Sequence, residues 1–491
     1  MLKGIRLQAH PTDHQKKILS QWMGCARYIW NAKTSEEKEQ RLILSKQDIY
    51  PKIDASYAHF KSKEETPWLF DVPSVILRNS ISNWRDTYQN FFKKQCGRPK
   101  HKKKDGRGSV YLTRELFEFV KGEDGVTRLF IGNKKHNIGY LSIKSHRPYR
   151  TPNSLYIRKK HNKYWVSFCY EDHTVSQGHL SEKEHLKDLS KKGKDYLETH
   201  TIGIDRGVAR PVQSSASDTF FDFSQGEKKN KHMLEKQVRR FQKQLSRQKK
   251  GSNRRHRTKI RLSDRHASIA NIRENFCHQT SRKIVDREQT KVIIFENLGT
   301  KRMTRKPKAK QDENGKWLRN NARAKAGLNK SILDKSWHLL EAFTKYKAKN
   351  EGKIVFKVAP NHTSQECAHC HHIHPKNRKK QDKFLCLSCG HTDNADINAA
   401  KVIKQRAIQL ILNSGTELSK RGVLSLSDSG RGDMLDKKGS KESLCSVGEA
   451  SKKKVASATG SPNALECYDL CNFSRIVFFI FSIISYTSTH S

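Results

Sequence analysis

Three carboxylates stand out because each lies at the end of a predicted strand or at the start of a predicted helix. Asp205 ends the run TIGID, Glu296 ends the run VIIFE, and Asp396 lies in the first turn of the helix DINAAKVIKQRAIQLIL. An acid that follows a buried strand lies at the carboxyl edge of a sheet, where α/β folds place their sites. Carboxylates brought together repel one another unless divalent cations neutralise them. The three acids therefore indicate a two-metal site that could clamp a phosphodiester, although each acid alone could be a cap or a surface charge.

Four cysteines form a second candidate metal site, in which two CxxC pairs are separated by fifteen residues. They are Cys367, Cys370, Cys386 and Cys389. Each CxxC turn can present two thiolates to one tetrahedral Zn²⁺ ion, with bonds of about 2.3 Å. Since four thiolates fill a structural zinc site, we expect the nearby histidines to be solvated and the site to have no catalytic position.

The charge balance indicates a polyanionic partner. The 491 residues include 97 Lys+Arg against 49 Asp+Glu, a formal net charge of +48. Nucleic acid is the partner that this charge favours; the alternatives are a ribosomal-type protein and a membrane-surface binder. Contacts from the basic runs to backbone phosphates would position a nucleic acid without reading its sequence. The candidate contacts are Arg98, Lys100, Lys102, Lys103, Lys104, Arg239, Arg240, Arg254, Arg255 and Arg257.

Cysteine usage and apolar runs bear on the compartment. The other seven cysteines show no framework spacing, which is typical of a reducing, intracellular environment. The opening MLKGIRLQAHPTDHQ lacks the apolar core of a signal peptide. The run IVFFIFSII (476–484) is shorter than the roughly 20 residues that span a bilayer as a helix. We expect a non-membrane, non-secreted protein of the prokaryotic cytoplasm or nucleoid, or of a eukaryotic nucleus.

Periodicity supplies the elements that must position these residues. Residues 1–11 predict one strand, and 12–95 predict helices whose aromatic residues recur at helical spacing as core. Short β-branched and aromatic runs from 109 to about 171 predict a small barrel. From 199 the pattern becomes strand, glycine turn and strand, followed by basic helices at about 226–250 and 263–290, a strand at 290–300 and a helix at 329–352.

Several motifs together carry a family resemblance. GIDRGVARPVQSS, VIIFENLGT and DNADINAA resemble the three split motifs of a RuvC-like nuclease domain, which has an RNase-H-type fold. LQAHPTDHQKKILSQWMGCARYIWN, GRPKHKKK and NHTSQECAHC extend the similarity to the TnpB family, the transposon-associated RNA-guided nucleases related to type V CRISPR effectors. The resemblance covers roughly residues 1–405. It implies that Asp205, Glu296 and Asp396 hold two catalytic Mg²⁺ ions, and that the neighbouring Asp393 is not the third acid.

The resemblance also implies a fold. We expect a mixed α/β multidomain protein, with an oligonucleotide-binding-like wedge barrel, an inserted helical recognition domain, and an RNase-H-like (RuvC) nuclease domain with an inserted four-cysteine zinc ribbon. The expected segments are the first wedge strand 1–11, the helical domain 12–95, the remaining wedge 96–180, a linker 181–198, the first nuclease part 199–365, the zinc ribbon 366–392, the last nuclease helix 393–413 and a disordered basic tail 414–491.

The function implied is RNA-guided, Mg²⁺-dependent DNA cleavage. Guide RNA and target DNA would be the partners, Zn²⁺ would be structural, and the protein would read only a short flanking duplex motif. Two alternatives stay open: a guide-directed DNA-binding or transposon accessory protein without cleavage, and an RNase-H-fold transposase that needs no RNA. The sequence leaves a monomer or a homodimer equally possible.

Overall fold

The computed structural model describes most of the chain up to residue 426. The described ranges are 2–44, 53–104, 107–122, 127–145, 148–160, 163–171, 180–216, 220–419 and 421–426. The chain divides into two compact units after Gln177. Most of the predicted tail, including the apolar run 476–484, lies outside the described residues. No helix in the described ranges is long and apolar enough to cross a membrane.

The first unit contains a seven-stranded antiparallel sheet with the order β2-β6-β7-β1-β5-β4-β3. Its strands are β1 (Leu2–His10), β2 (Gly108–Thr113), β3 (Phe117–Lys121), β4 (Thr127–Gly132), β5 (Asn137–Lys144), β6 (Ser154–Lys160) and β7 (Lys163–Glu171). Alternate residues of β7, such as Tyr164, Val166 and Phe168, are buried because successive strand residues face opposite sides. The predicted strands are confirmed, and closure into an oligonucleotide-binding barrel stays a prediction.

Two helices of the first unit, α1 (Asp13–Leu44) and α2 (Ser74–Phe92), share the hydrophobic core of this sheet. Leu19 of α1 and Ile76 of α2 belong to the same buried cluster as Ile5 and Val166. The two helices also bury a small cluster of their own, formed by Trp30, Trp84 and Tyr88. The assignment of this segment as a recognition domain stays a prediction.

The second unit is built on a five-stranded mixed sheet with the order β10-β9-β8-β11-β14. Its strands are β8 (Thr201–Asp205), β9 (Val212–Ser214), β10 (Phe220–Phe221), β11 (Val292–Glu296) and β14 (Ile354–Val358). Strand β11 runs parallel to both β8 and β14, while the β8–β9 and β9–β10 pairs are antiparallel. All five residues of β11 are buried, as expected for a strand covered on both faces.

Helices and short hairpins complete the second unit. The helices are α3 (Glu182–Ser190), α4 (Lys194–His200), α5 (Gln225–Arg247), α6 (Asn253–Val285), α7 (Thr300–Met303), α8 (Ala322–Asp334), α9 (Trp337–Asn350) and α10 (Ala395–Leu412). The short strands pair as β12 (Lys310–Gln311) with β13 (Trp317–Leu318), β15 (Lys383–Leu385) with β16 (Thr392–Asn394), and β17 (Thr416–Leu418) with β18 (Leu424–Leu426).

Two segment predictions are wrong in part. The predicted linker 181–198 forms α3 and α4, because Leu189 and Leu197 are buried in the core beside β11 and Ser181 forms a capping box with Glu184. The start of the predicted disordered tail forms the β17–β18 hairpin, in which Leu424 is 1% exposed.

Two helix boundaries also differ from the prediction. Helix α6 begins at Asn253 rather than near 263, and the helix predicted over 329–352 is interrupted at Ser336, where φ is +53°.

Candidate active site

Parallel pairing places two of the predicted acids next to each other. The β8–β11 register aligns Ile204 with Phe295, so Asp205 and Glu296 occupy the next position on the two strands. Both carboxylates therefore lie at the same carboxyl edge of the sheet. This is the position that the sequence predicted for these two acids.

Helix α10 brings the third acid to this edge by packing directly on β8. Gly203, in the middle of β8, makes this approach possible. A Cβ atom there would collide with the carbonyl oxygen of Ala400 and lie 2.7 Å from the backbone nitrogen of Lys404. Asp396 lies in the first turn of α10, where the Asn394 side chain accepts a 3.1 Å hydrogen bond from the Asp396 N–H. Asn394, not Asp396, is thus the helix cap, which leaves the Asp396 carboxylate available for other contacts.

The charges of the other two acids act on Asp205. Burial, together with the negative charges of Glu296 and Asp396, raises the pKa of Asp205 to about 7. Burial also raises the pKa of Glu296, against the opposing effects of Thr363 and of Arg206. Burial and repulsion thus disfavour the charged carboxylates, and a divalent cation bound between them would stabilise their charged form.

Glu296 is held on its side-chain and main-chain sides. The buried Thr363 hydroxyl donates a short hydrogen bond to Glu296 Oε1. Arg206, which follows Asp205 in the chain, donates through Nη2 to the Glu296 carbonyl oxygen at 2.5 Å. Arg206 therefore ties the ends of β8 and β11 together behind the two acids.

Arg206 is itself buried and is fixed by an ion-pair network with two partly buried residues. Its Nη1 lies 3.0 Å from Glu341 Oε2, and Lys357 Nζ lies 2.9 Å from Glu341 Oε1. Burial opposes ionisation of Glu341, but the two cations outweigh it and lower its pKa. The network anchors α9 and β14 to the edge that carries the acids.

Arg378 is a site residue that the sequence patterns did not reveal. It lies between the two CxxC pairs, and its Nη2 lies 2.9 Å from Asp396 Oδ1. Its charge also works against the raised pKa of Asp205. The sequence showed only a basic insertion, KNRKK, in the ribbon, and nothing in its spacing linked that insertion to the acids.

The four cysteines converge as predicted. Their sulfur atoms all lie within 4.8 Å of one another, and the Cys367–Cys389 and Cys370–Cys386 pairs are 3.7 and 3.5 Å apart. Four Zn–S bonds of about 2.3 Å imply sulfur separations close to these values. Among the described residues, this is the one group of metal-ligand side chains at that spacing; the three acids are coupled by charge and are more widely spaced.

Hydrogen bonds connect the cysteine knuckles to α10. Buried Asn398, two residues after Asp396, accepts from the Ala368 N–H at 3.0 Å and donates to the Glu366 carbonyl at 2.7 Å. Arg406, further along the same helix, forms a short ion pair with Glu366. The first knuckle is therefore attached to the helix that carries the third acid.

The candidate phosphate contacts divide into two groups, according to whether the side chain is held by an internal contact. Nine of the ten residues are exposed, and Arg255 is half-buried. Lys102 Nζ lies 3.4 Å from the ring centroid of Trp30 on α1, and Arg98 Cζ lies 5.1 Å from the ring centroid of Phe91 on α2. Arg255 donates to the Leu245 and Gln248 carbonyls at the end of α5. These three side chains make contacts within the protein, and the other seven stay the stronger phosphate-contact predictions.

The raised pKa of Asp205 leads to a stability prediction for the metal-free protein. The pKa of Asp205 is near 3.8 in the unfolded chain and about 7 in the folded protein. The free energy of unfolding should therefore fall as pH rises between these two values and then level off. Asp205→Asn removes this ionisation. Its melting temperature should exceed that of the wild type by several degrees at pH 8 and by much less at pH 5, when thermal melts are recorded without added metal. Equal pH dependence of the two proteins would contradict the raised pKa.

Three family models match parts of the chain. A model described as "Probable transposase" matches residues 181–306, one described as "Cas12f1-like, TNB domain" matches 337–403, and one described as "Helix-turn-helix domain" matches 1–41. In residues 2–41 the structure has strand β1 and part of the single helix α1, so it forms no helix-turn-helix there.

Relatives extend over most of the chain. A putative RNA-guided DNA endonuclease, InsQ, of Escherichia coli (strain K12) is 28% identical over 403 residues, which cover 82% of this chain and 91% of that protein. A putative RNA-guided DNA endonuclease of Streptomyces pristinaespiralis is 24% identical, with 82% and 88% covered. A solved Cas12f1–sgRNA–target DNA complex aligns with a TM-score of 0.48 and 12% identity, over 82% of this chain and 98% of that one.

Proposed function

We propose that the chain is an RNA-guided DNA endonuclease of the TnpB family of transposon-associated proteins, the family to which its models and relatives point. The observation that carries the proposal is the convergence of Asp205, Glu296 and Asp396 at one sheet edge, where each of the other two raises the pKa of Asp205. Relatives matched over most of their own length are named as putative enzymes of this class. Guide RNA and target DNA are the proposed partners.

The donor set fits divalent metal ions. Asp205, Glu296 and Asp396 would hold two Mg²⁺ ions, which would supply activation of the attacking water and stabilisation of the leaving 3′ oxygen. The carboxylates supply only oxygen ligands, which Mg²⁺ prefers, and their mutual repulsion is the charge that such ions would offset. Zn²⁺ at the four cysteines would be structural, since the thiolates leave no open position.

The remaining residues of the site position these groups. Arg206 joins the two strand ends, and Gly203 admits α10. Arg378 neutralises Asp396 in the structure. We propose that its guanidinium binds a phosphate of the DNA, since Arg can contact a phosphate through two N–H groups at once and Lys cannot. We propose the second unit as the RuvC-like nuclease domain and the first as the wedge with its helices.

Thr363→Val should weaken metal use without removing an acid. The valine side chain keeps the shape but loses the hydroxyl that donates to Glu296, and partners of metal ligands typically contribute about 10–100-fold to metal affinity or activity. We expect a higher Mg²⁺ concentration at half-maximal cleavage rate, measured by titration of the guided complex. Thr363→Ser, which retains the hydroxyl, is the matched control. An unchanged Mg²⁺ requirement in the valine variant would show that Thr363 has no such role.

The cleavage assay separates the proposed function from its rivals. The purified complex is incubated with a plasmid library that carries the complement of the bound RNA beside randomised flanking bases. Double-strand or nicked products with Mg²⁺, and none with EDTA, are expected. Binding without products would favour the accessory protein, and joined rather than cleaved ends would favour the transposase.

A further inference from the structure

A short hairpin after the second acid exposes an aromatic side chain. Trp317 is 68% exposed and the adjacent Leu318 is 49% exposed, although they form one strand of the β12–β13 pair. Single exposed apolar side chains are common on proteins, so the shape and the charge around these two decide whether they mark a partner surface.

The hairpin is held in shape by its own turn. Asp312 Oδ1 accepts hydrogen bonds from the Asn314 and Lys316 N–H groups, at 3.1 and 2.7 Å. Gly315 supplies the left-handed backbone position, with φ of +76°. Asn320 Nδ2 closes the base by donating to the Lys308 carbonyl at 3.0 Å. Trp317 is therefore presented on a defined turn.

The surrounding charge identifies the chemistry of the partner. Residues 305–325 contain eight Lys/Arg and two acids. None of these eight cations forms an ion pair within the described part of the chain, and seven of them are exposed. At the base of the hairpin lies an open depression of about 450 Å³, lined by Arg305, Pro307, Lys325 and Leu328 among others. Cations and apolar surface are thus interleaved.

We propose that this hairpin binds single-stranded DNA, with one base stacked on Trp317 and the flanking phosphates on the surrounding Lys and Arg side chains. Stacking requires a base whose face is not already stacked on neighbouring bases in a duplex, and aromatic side chains set in basic surface are the usual platform for single strands. The inference rests on the proposed function, because a nuclease site at the end of β11 needs a strand delivered to it. The hairpin follows Glu296 closely in the chain.

Binding of a labelled single strand tests the proposal without cleavage. The probe is a fluorescein-labelled oligodeoxythymidine of about 20 nucleotides, longer than one such binding site, and the protein is the full-length RNA complex carrying Asp205→Ala. Adding Trp317→Ala should weaken binding by about 5- to 100-fold, the usual range for loss of one stacked base. Trp317→Phe should stay within about threefold, because a phenyl ring still stacks. Tyr346→Ala, at an exposed aromatic residue of α9, is the matched control and should bind as the parent does.

Salt dependence distinguishes stacking from charge. Trp317→Ala should leave unchanged the slope of the logarithm of affinity against the logarithm of salt concentration. Lys316→Gln and Arg319→Gln should each reduce the magnitude of that slope by about 0.7. Unchanged affinity in Trp317→Ala, or a phenylalanine variant as weak as the alanine variant, would overturn the proposal. If Trp317→Ala lost the co-purifying RNA but still bound the oligonucleotide, the hairpin would be an RNA-binding element, and this result would also overturn the proposal. Failure of the proposed function itself would show separately, as a wild-type complex without RNA or without cleavage.

Discussion

Asp396→Asn is expected to reduce the cleavage rate by more than about 100-fold while guided DNA binding is retained. Asparagine preserves the shape and the place in the first turn of α10 but removes the charge that a metal ion would need. Outer partners of metal ligands already contribute about 10–100-fold, so a direct ligand should contribute more. Single-turnover cleavage and filter binding on the same preparation give the two quantities.

Asp393→Asn is the matched control, three residues away in the chain. The Asp393 carboxylate forms an ion pair with Lys401 Nζ at 2.7 Å and is not among the charges that raise the pKa of Asp205. Asparagine keeps the Oδ1 atom that accepts the Asn394 N–H at 2.7 Å and loses only the ion pair, so the cleavage rate should stay within about threefold. If Asp393→Asn lost cleavage and Asp396→Asn kept it, the third acid would be misassigned.

Cys386→Ser is expected to release zinc and to reduce both folding and cleavage. Removing one of four thiolates opens the site, and structural zinc contributes folding free energy directly. Because Asn398 and Arg406 connect the first knuckle to α10, a loosened ribbon should misplace Asp396. Zinc content by mass spectrometry, the thermal melt and the cleavage rate should fall together.

His369→Ala is the control for the ribbon. His369 is exposed beside the cysteines, and in a four-thiolate site it is not a ligand, so zinc content and cleavage should match the wild type. Wild-type cleavage in zinc-free Cys386→Ser protein would show that the ribbon does not support the third acid.

The sequence predicted the site where local patterns determine geometry. Runs of buried β-branched residues marked β8 and β11, and an acid directly after each run had to lie at the strand end. The two CxxC turns fixed the sulfur spacing in the same way. These predictions needed only periodicity and the spacing of a few residues.

Contacts between distant segments could not be predicted in this way. Thr363 contacts Glu296 across 67 residues of sequence, and Arg378 contacts Asp396 across 18. No periodic pattern in the sequence connects residues at these separations. The close approach at Gly203 depends on which helix covers β8. The segment 181–198 looked like a linker because its helices α3 and α4 are short and mostly polar, and bury few residues such as Leu189 and Leu197.

Extraction of nucleic acid from the purified full-length protein tests the central claim most directly. RNA-guided cleavage predicts a discrete RNA that co-purifies with the protein, and Mg²⁺-dependent cleavage of matching DNA that ribonuclease treatment of the complex abolishes. The net charge of +48 makes some RNA carry-over expected, so dependence of the cut site on the RNA sequence is the decisive readout. Cleavage by RNA-free protein, or cutting that ignores the bound RNA sequence, would contradict the proposed function.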